Sequence, residues 1–292
     1  YRSDAGLGIY ACLAMLASPA RADPRTLATA KEINTLTRAE ADAGLPARLK
    51  AVVLYADEKL GFLFLQDATG GTFAYLATSG NESGVSTGDL IEIDGVTTAG
   101  HYSPCMRDAS FRRVGRAALP APIRLPLEDV AAGQWVGHWA ELSGMITSVT
   151  SKAESTEYVL RGTGGSALVI LKGGSPPLSV GARVRMRGAL GAIYNTRRQA
   201  LGIKFFVPGP RFVTLIKDAP VDIFASPAAP LDSIGGFDPG ADRESPVRTH
   251  GLVAAVESRS RIYLANQQST IAVEALPSCQ PDRKSTRLNS SH

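Results

Sequence analysis

Three cysteines and four histidines in 292 residues leave little material for metal or redox chemistry. No Cys-x-x-Cys pair and no His/Cys cluster with ligand spacing occurs, which excludes a zinc-ribbon or zinc-finger site. Cys12 lies in an N-terminal apolar run, while Cys105 and Cys279 fall in different parts of the chain, so a disulfide framework is excluded too. No serine sits in a Gly-x-Ser-x-Gly elbow and no cysteine has a local histidine partner, which removes the common nucleophilic hydrolases. An apolar stretch of about 20 residues, the length a membrane helix needs, is missing. A strong charge of one sign is missing as well. The chain carries a net +4. Residues 1–22 hold Arg2, Asp4 and Arg21, and the last eleven residues hold Asp282, Arg283, Lys284 and Arg287, so +1 and +2 lie at the ends. Residues 23–281 are left with +1, which gives no global electrostatic case for a polyanion partner.

Both ends have a character of their own. Leu7–Leu16 is an uncharged, apolar run, followed by Ala20-Arg21-Ala22 ahead of Asp23, a signal-peptide pattern with a small-residue cleavage site. Residues 1–22 are therefore expected to be an export signal and the remainder periplasmic or otherwise extracytoplasmic. Cys12 follows no convincing lipobox. The final eleven residues, DRKSTRLNSSH, match codon for codon one reading frame of a common sequencing-library adapter. The expectation is an artefactual tail over 282–292 on a fragment whose natural sequence ran on past Pro281.

What the chain has in quantity is glycine (29) and proline (18), and much of it is periodic. LKAVV (Leu49–Val53) matches LSGMI (Leu142–Ile146), and GDLIEIDG (Gly88–Gly95) matches GARVRMRG (Gly181–Gly188), both at an offset of 93. Thr69-Gly-Gly matches Thr163-Gly-Gly at 94. A third copy starts at THGLVAAV (Thr249–Val256) and IYLANQQSTIAVEA (Ile262–Ala275). Within each unit the apolar residues alternate about turn signals, as at Leu63, Leu65, Phe73 and Tyr75 around Asp67-Ala-Thr-Gly-Gly, the pattern of a half-buried hairpin. The fold class expected is mainly β: tandem small OB-like β-barrels joined by short helices and Pro-rich linkers. The boundaries are a helical leader over 23–45 that stops at Gly44, a first repeat over 46–116, and a Pro-rich linker with a short helix over 117–136. A second repeat follows over 137–218, then a linker with a short helix over 219–245, and a truncated third repeat over 246–281, too short to fold alone.

Candidate chemistry is sparse. Asp67 fits a turn-capping carboxylate better than a catalytic one, since the second copy has Arg161 or Gly162 there. The loop Tyr194, Asn195, Thr196, Arg197, Arg198, Gln199 gathers an aromatic, amides and two guanidiniums that suit a carboxylate, phosphate or sugar-acid ligand. A solvated basic hairpin tip is its plain alternative. His101 and Tyr102 fall at the matching place in the first copy and line a related groove or pack on the barrel rim. Trp135 and Trp139 fit a plug between domains better than a stacking platform. Single-strand readers of OB type need a basic groove with exposed stacking aromatics. Phe62, Phe64, Phe73 and Tyr75 are read as lying on both faces of the hairpin, which argues against that use.

The succession TRAEADAGLPARLKAVVLYADEKLGFLFLQDATGG, GDLIEIDGVTTAGHYSP and LGAIYNTRRQALGIKFFVPGP resembles the N-terminal extracytoplasmic region of bacterial membrane-bound sensor histidine kinases and GGDEF-type diguanylate cyclases, over residues 30–275. The resemblance implies a transmembrane segment and a cytoplasmic output domain beyond residue 281. No kinase or cyclase motif is present, so it assigns no catalytic residue here. The function expected is a non-catalytic periplasmic sensory or ligand-binding module, without cofactor or metal. Its partners would be a small ligand or a periplasmic protein, together with its own missing membrane and output domains, and no nucleic acid. The alternatives are a secreted adhesion, scaffold or carbohydrate-binding accessory module, and an OB-fold oligonucleotide binder.

Overall fold

A computed structural model describes residues 25–274, apart from 79–82, 128–134, 163–164, 175–177, 198, 221–227, 235–246 and 259–260. The export signal, the tail and most of the helix expected after Leu127 lie outside the described residues.

The leader forms two short helices, α1 (Ala30–Asn34) and α2 (Arg38–Asp42), where the sequence periodicity predicts one. The interruption has a local cause. Thr37 accepts from Glu40 N while Glu40 reaches back to Thr37 N, a capping box that starts a new helix instead of continuing the old one. The chain then turns at Gly44, where φ is +69°.

Strands β1 (Pro46–Asp57), β2 (Phe62–Asp67), β3 (Gly70–Leu76), β4 (Asp89–Thr98) and β5 (Cys105–Arg116) close a barrel in the order β1-β2-β3-β5-β4. The β3–β5 pairing is parallel and the rest antiparallel. After the connector strand β6 (Ile123–Arg124), strands β7 (Trp139–Ser151), β8 (Ser155–Gly162), β9 (Gly165–Lys172), β10 (Arg183–Tyr194) and β11 (Ala200–Val207) repeat the plan. They run in the order β7-β8-β9-β11-β10, closed by a β10–β7 pairing. These are tandem OB-like barrels. A 3-10 turn, η1 (Pro210–Phe212), leads to β12 (Val213–Lys217) on the edge of β10. A second turn, η2 (Leu231–Ser233), precedes an open sheet of β13 (Leu252–Val256), β14 (Arg261–Ala265) and β15 (Thr270–Glu274).

The 93-residue repeat is written into the strand register. Ala47 pairs with Gly95 and Leu49 with Ile93, while Ala140 pairs with Gly188 and Leu142 with Met186. Each first strand also carries a bulge at the same step, between Val53 and Tyr55, Ile146 and Ser148, and Val253 and Ala255. The hairpin tips pair Asp67 with Gly70 and Gly162 with Gly165, so Gly162 stands where Asp67 stands. Asp67 is a structural carboxylate. It accepts from Thr69 N (2.7 Å), Thr69 Oγ1 (2.6 Å) and Gly70 N (3.1 Å), and its other oxygen takes Ala30 N (2.7 Å), which docks α1 on the tip.

Each barrel has its own apolar core, with Leu49, Leu63, Leu65, Ile91 and Ile93 in the first and Leu142, Tyr158, Leu160, Val184 and Phe205 in the second. A third cluster lies between them and contains Leu54, Tyr55, Phe62, Phe64, Trp139 and Ala189. It explains why FLFL in β2 is buried at four successive positions: odd-numbered leucines face the barrel core and even-numbered phenylalanines face the second barrel. Trp139 N donates to Gln66 Oε1 (2.9 Å) and Lys172 Nζ to Ala56 O (2.8 Å) across the seam, where Lys59 also pairs with Glu154. Gly71 and Gly137 bring their backbones together there, and Gly71 N donates to His138 Nε2 (3.4 Å). Among the described residues, Thr72 Oγ1 and His138 Nδ1 are buried without a partner. Trp139 is thus a plug between the barrels, while Trp135 packs edge-on to His138 at 5.7 Å.

The connector is held rather than loose. Glu141, buried on β7, meets Arg187 Nε (2.8 Å), Arg124 Nε of β6 (3.1 Å) and Arg185 Nε (3.6 Å). Burial pushes its carboxyl up, but the hydrogen bond and charge of Arg187, with Arg124 and Arg185 behind, hold it below the ordinary value. The folded-state value being depressed, its stabilisation is present above the unfolded carboxylate range and is lost as pH falls through the folded value. Thermal melts between pH 7 and pH 3 are expected to show that loss. Glu141→Gln is expected to carry the loss already at pH 7 and to melt with a shallower acid limb; an acid limb as steep as wild type would show that other carboxylates set it.

Candidate functional site

Between the barrels opens a cleft of about 490 Å³. Its floor is the outer face of β2 and β3, with Phe62, Phe64, Phe73 and Tyr75. Leu60 of the β1–β2 loop and His101, Tyr102 and Ser103 of the β4–β5 loop form one rim. The opposite wall comes from the second barrel, through Leu168 of β9, Ile193 and Tyr194 at the end of β10, and Lys204 and Phe206 of β11. The β2–β3 face together with the loops β1–β2 and β4–β5 is the surface on which OB barrels bind oligonucleotides and oligosaccharides. Here part of that surface packs on the neighbouring barrel, and the uncovered part is a slot.

Aromatic contacts run from the seam to the mouth. Phe206 lies 5.0 Å from Phe64 and 5.7 Å from Phe62; Phe73 lies 4.6 Å from Tyr75; Tyr75 lies 6.4 Å from His101. The series ends with His101 stacked on Tyr194, 5.1 Å between centroids and 10° between planes. Tyr194 is 40% exposed. A parallel pair at the mouth of an apolar slot presents a π face to an incoming flat ring, the arrangement that stacking recognition uses. Lys204 Nζ, 5.4 Å above the Phe206 ring, is the lysine of the lining.

Burial favours the neutral forms of two groups in the cleft, Tyr75 and Cys105. Burial, with Cys105 and Tyr194 nearby, pushes the Tyr75 phenol up to about 12, and burial pushes the Cys105 thiol up to about 12. Since the thiolate is the reactive form, Cys105 is an inert small apolar residue at neutral pH. Among the described residues no group of three or more His, Cys, Asp or Glu could hold a metal ion, and no helix is long and apolar enough to cross a membrane.

The sequence-selected residues divide. His101, Tyr102 and Tyr194, from matching β4–β5 and β10–β11 loops of the two barrels, come together at the cleft. Asn195 and Gln199 do not join them, because they satisfy each other: Asn195 Nδ2 donates to Gln199 Oε1 (2.8 Å) and Gln199 N to Asn195 Oδ1 (3.0 Å). Arg197 is exposed and outside the lining, and Arg198 lies outside the described residues. Leu60, Lys204 and Phe206 went unselected, although the unbroken run FLFL was a signal that β2 is covered on both faces.

No protein-family model and no curated protein matches the chain. Solved structures do. A murine DNA-binding protein bound to double-stranded DNA is 15% identical, with a TM-score of 0.31, over 60% of this chain and 98% of that one. A replication protein A heterotrimer bound to single-stranded DNA is 11% identical, with a TM-score of 0.25, over 65% of this chain and 52% of that one. A protein assigned as an aspartyl-tRNA synthetase from Leishmania major Friedlin is 10% identical, with a TM-score of 0.28, over 36% of this chain. The chain spans 23% of that synthetase's length. The expectation that nucleic acid is not a partner finds no support in these structures, two of which are complexes with DNA. Its physical premise fails as well, because Phe62, Phe64, Phe73 and Tyr75 share one outer face and do not divide between two.

Proposed function

We propose that the chain is a binding module whose inter-barrel cleft takes an unstacked base of single-stranded nucleic acid. The observation that carries this reading is the position of the aromatic slot on the ligand-binding face of the first barrel, with the His101–Tyr194 stack at its mouth. Because the second barrel covers part of that face, the slot admits one or two bases or a strand end, not a long strand laid across it. Fluorescence anisotropy of a labelled single-stranded oligothymidine at low salt tests it. Saturable binding is expected, weakened by Tyr194→Ala or Tyr75→Ala by about 5- to 150-fold, the worth of about 1–3 kcal/mol of stacking. No saturable signal, or affinity indifferent to both substitutions, would sink the reading.

A second reading is favoured by charge. Residues 23–281 carry +1, and among the described residues Lys204 is the only lysine or arginine lining the cleft, which suits a small neutral aromatic ligand. In that case the chain is the extracytoplasmic sensory part of a transmembrane signalling protein, and ligand entry biases the packing of the barrels. Salt separates the two: strand binding falls steeply between 50 and 200 mM salt through counterion release, whereas binding of a neutral ring does not.

A further inference from the structure

Behind the aromatic wall lies a second opening of about 520 Å³, and its chemistry is opposite to that of the first. Tyr55, whose ring is 5.2 Å from Phe206, separates the two. The second cleft is lined by Ser86 and Thr87 ahead of β4, Arg116 at the end of β5, Lys172 at the end of β9 and Arg211 of η1, so both barrels contribute cations to it.

Each cation is fixed by a contact that leaves donors to spare. Arg116 gives Nη1 to Asp89 Oδ1 (3.0 Å) and Nη2 to Thr87 O (3.1 Å), out of five N–H donors. Lys172 gives one of three to Ala56 O (2.8 Å). Arg211 lies over the Phe212 ring at 4.8 Å, which holds its fork flat. Among the described residues no carboxylate lines the cleft. Buried Asp89 pairs with both Arg116 (3.0 Å) and Arg113 (3.1 Å). Among the described residues, neither Lys172 nor Arg211 has a carboxylate partner. A nearly neutral body thus concentrates an excess of positive charge in one cleft.

We infer that this second cleft binds the phosphate of a phosphorylated ligand. Three cations from three elements, with the Ser86 hydroxyl beside them, match a group that offers several oxygens and more than one negative charge. The inference stands apart from the base-stacking reading, since none of the cleft's lining residues belongs to the aromatic slot.

Calorimetric titration of inorganic pyrophosphate into the intact chain at low salt tests it, with amide shifts recorded at Ser86, Thr87 and Gly209. Saturable binding and shifts at those amides are expected. Arg211→Glu, an exposed position, is expected to weaken binding about tenfold or more, the scale of a lost charge-assisted hydrogen bond. Lys172→Met is expected to weaken it as well, whereas Tyr194→Ala in the other cleft leaves it unchanged. An abasic deoxyribose-phosphate oligomer separates the sources of the phosphate. Competition by the oligomer means a nucleic-acid backbone, and binding of pyrophosphate alone means a small phosphorylated molecule; each supports phosphate recognition. Failure of both probes, or pyrophosphate affinity unaltered by Arg211→Glu, overturns it.

Discussion

Gly71→Ala is expected to undock the two barrels while leaving each of them folded. A Cβ at Gly71 would fall on the carbonyl of Gly137 and within 2.7 Å of His138 N. Both obstacles are backbone, so no side chain can swing aside to make room. Gly137 has no freedom to yield either, since its φ is +90° and a Cβ of its own would lie 2.8 Å from Gly71 C. Overpacking of this kind costs about 1–3 kcal/mol and sometimes more. The strain sits in the seam, not in a barrel core, so the cheapest relief is separation. The expected signs are a larger radius of gyration in solution scattering and one unfolding transition resolved into two. Binding at both inter-barrel clefts should fall together. Gly174→Ala, where an added Cβ meets nothing within 4 Å, is the control and should behave as wild type. Unchanged scattering and a single unchanged transition in Gly71→Ala would refute the account of the seam.

The neighbours Phe205 and Phe206 are expected to give opposite phenotypes when each is replaced by alanine. Phe205 is fully buried in the core of the second barrel. Its loss removes a large ring from a site closed on all sides and is expected to cost about 3–5 kcal/mol of that barrel's stability. That is a shift of a hundred- to several-thousand-fold in its folding equilibrium, at about 1.4 kcal/mol per factor of ten. Phe206 is half-buried and faces the other way, between Tyr55, Phe62 and Phe64. Phe206→Ala should cost less stability and join the two clefts by removing their shared wall. Denaturant unfolding followed with a probe in the second barrel checks the first effect, and ligand titration checks the second. Equal loss of stability in the two variants would show that the strand alternation has been misassigned.

The barrel architecture was legible because turn chemistry and period-two patterning both repeat, and repetition exposes register. The 93-residue offset between LKAVV and LSGMI is the same offset that separates the β1–β4 pairs from the β7–β10 pairs. Asp67 was legible for a related reason: its place is Gly162 in the second barrel, so only its turn contacts needed explaining. The cleft was half legible. Sequence alignment of the two copies brought out His101, Tyr102 and Tyr194, because both lie in the same loop of the repeat. That those loops meet depends on how one barrel sits on the other, and no periodicity carries that. The polar part of the β10–β11 loop was less legible, for a physical reason. Clustered charge in a turn is visible in sequence, whereas the hydrogen bonds by which Asn195 and Gln199 close that turn are not.

The seam also decides how far the stacking of barrels can go. The first barrel uses its β2–β3 face, and the second answers with β11, η1 and the start of β7, so unlike surfaces meet. Contacts between unlike surfaces are open-ended: if every unit carried both, units would add head to tail into a filament. The second barrel's β8–β9 exterior breaks that rule, with Glu157, Val159, Arg161, Ser166 and Ile170 in place of the phenylalanines. Addition by this mode therefore ends at the β8–β9 face of the second barrel, which lacks the aromatic surface that the first barrel offers.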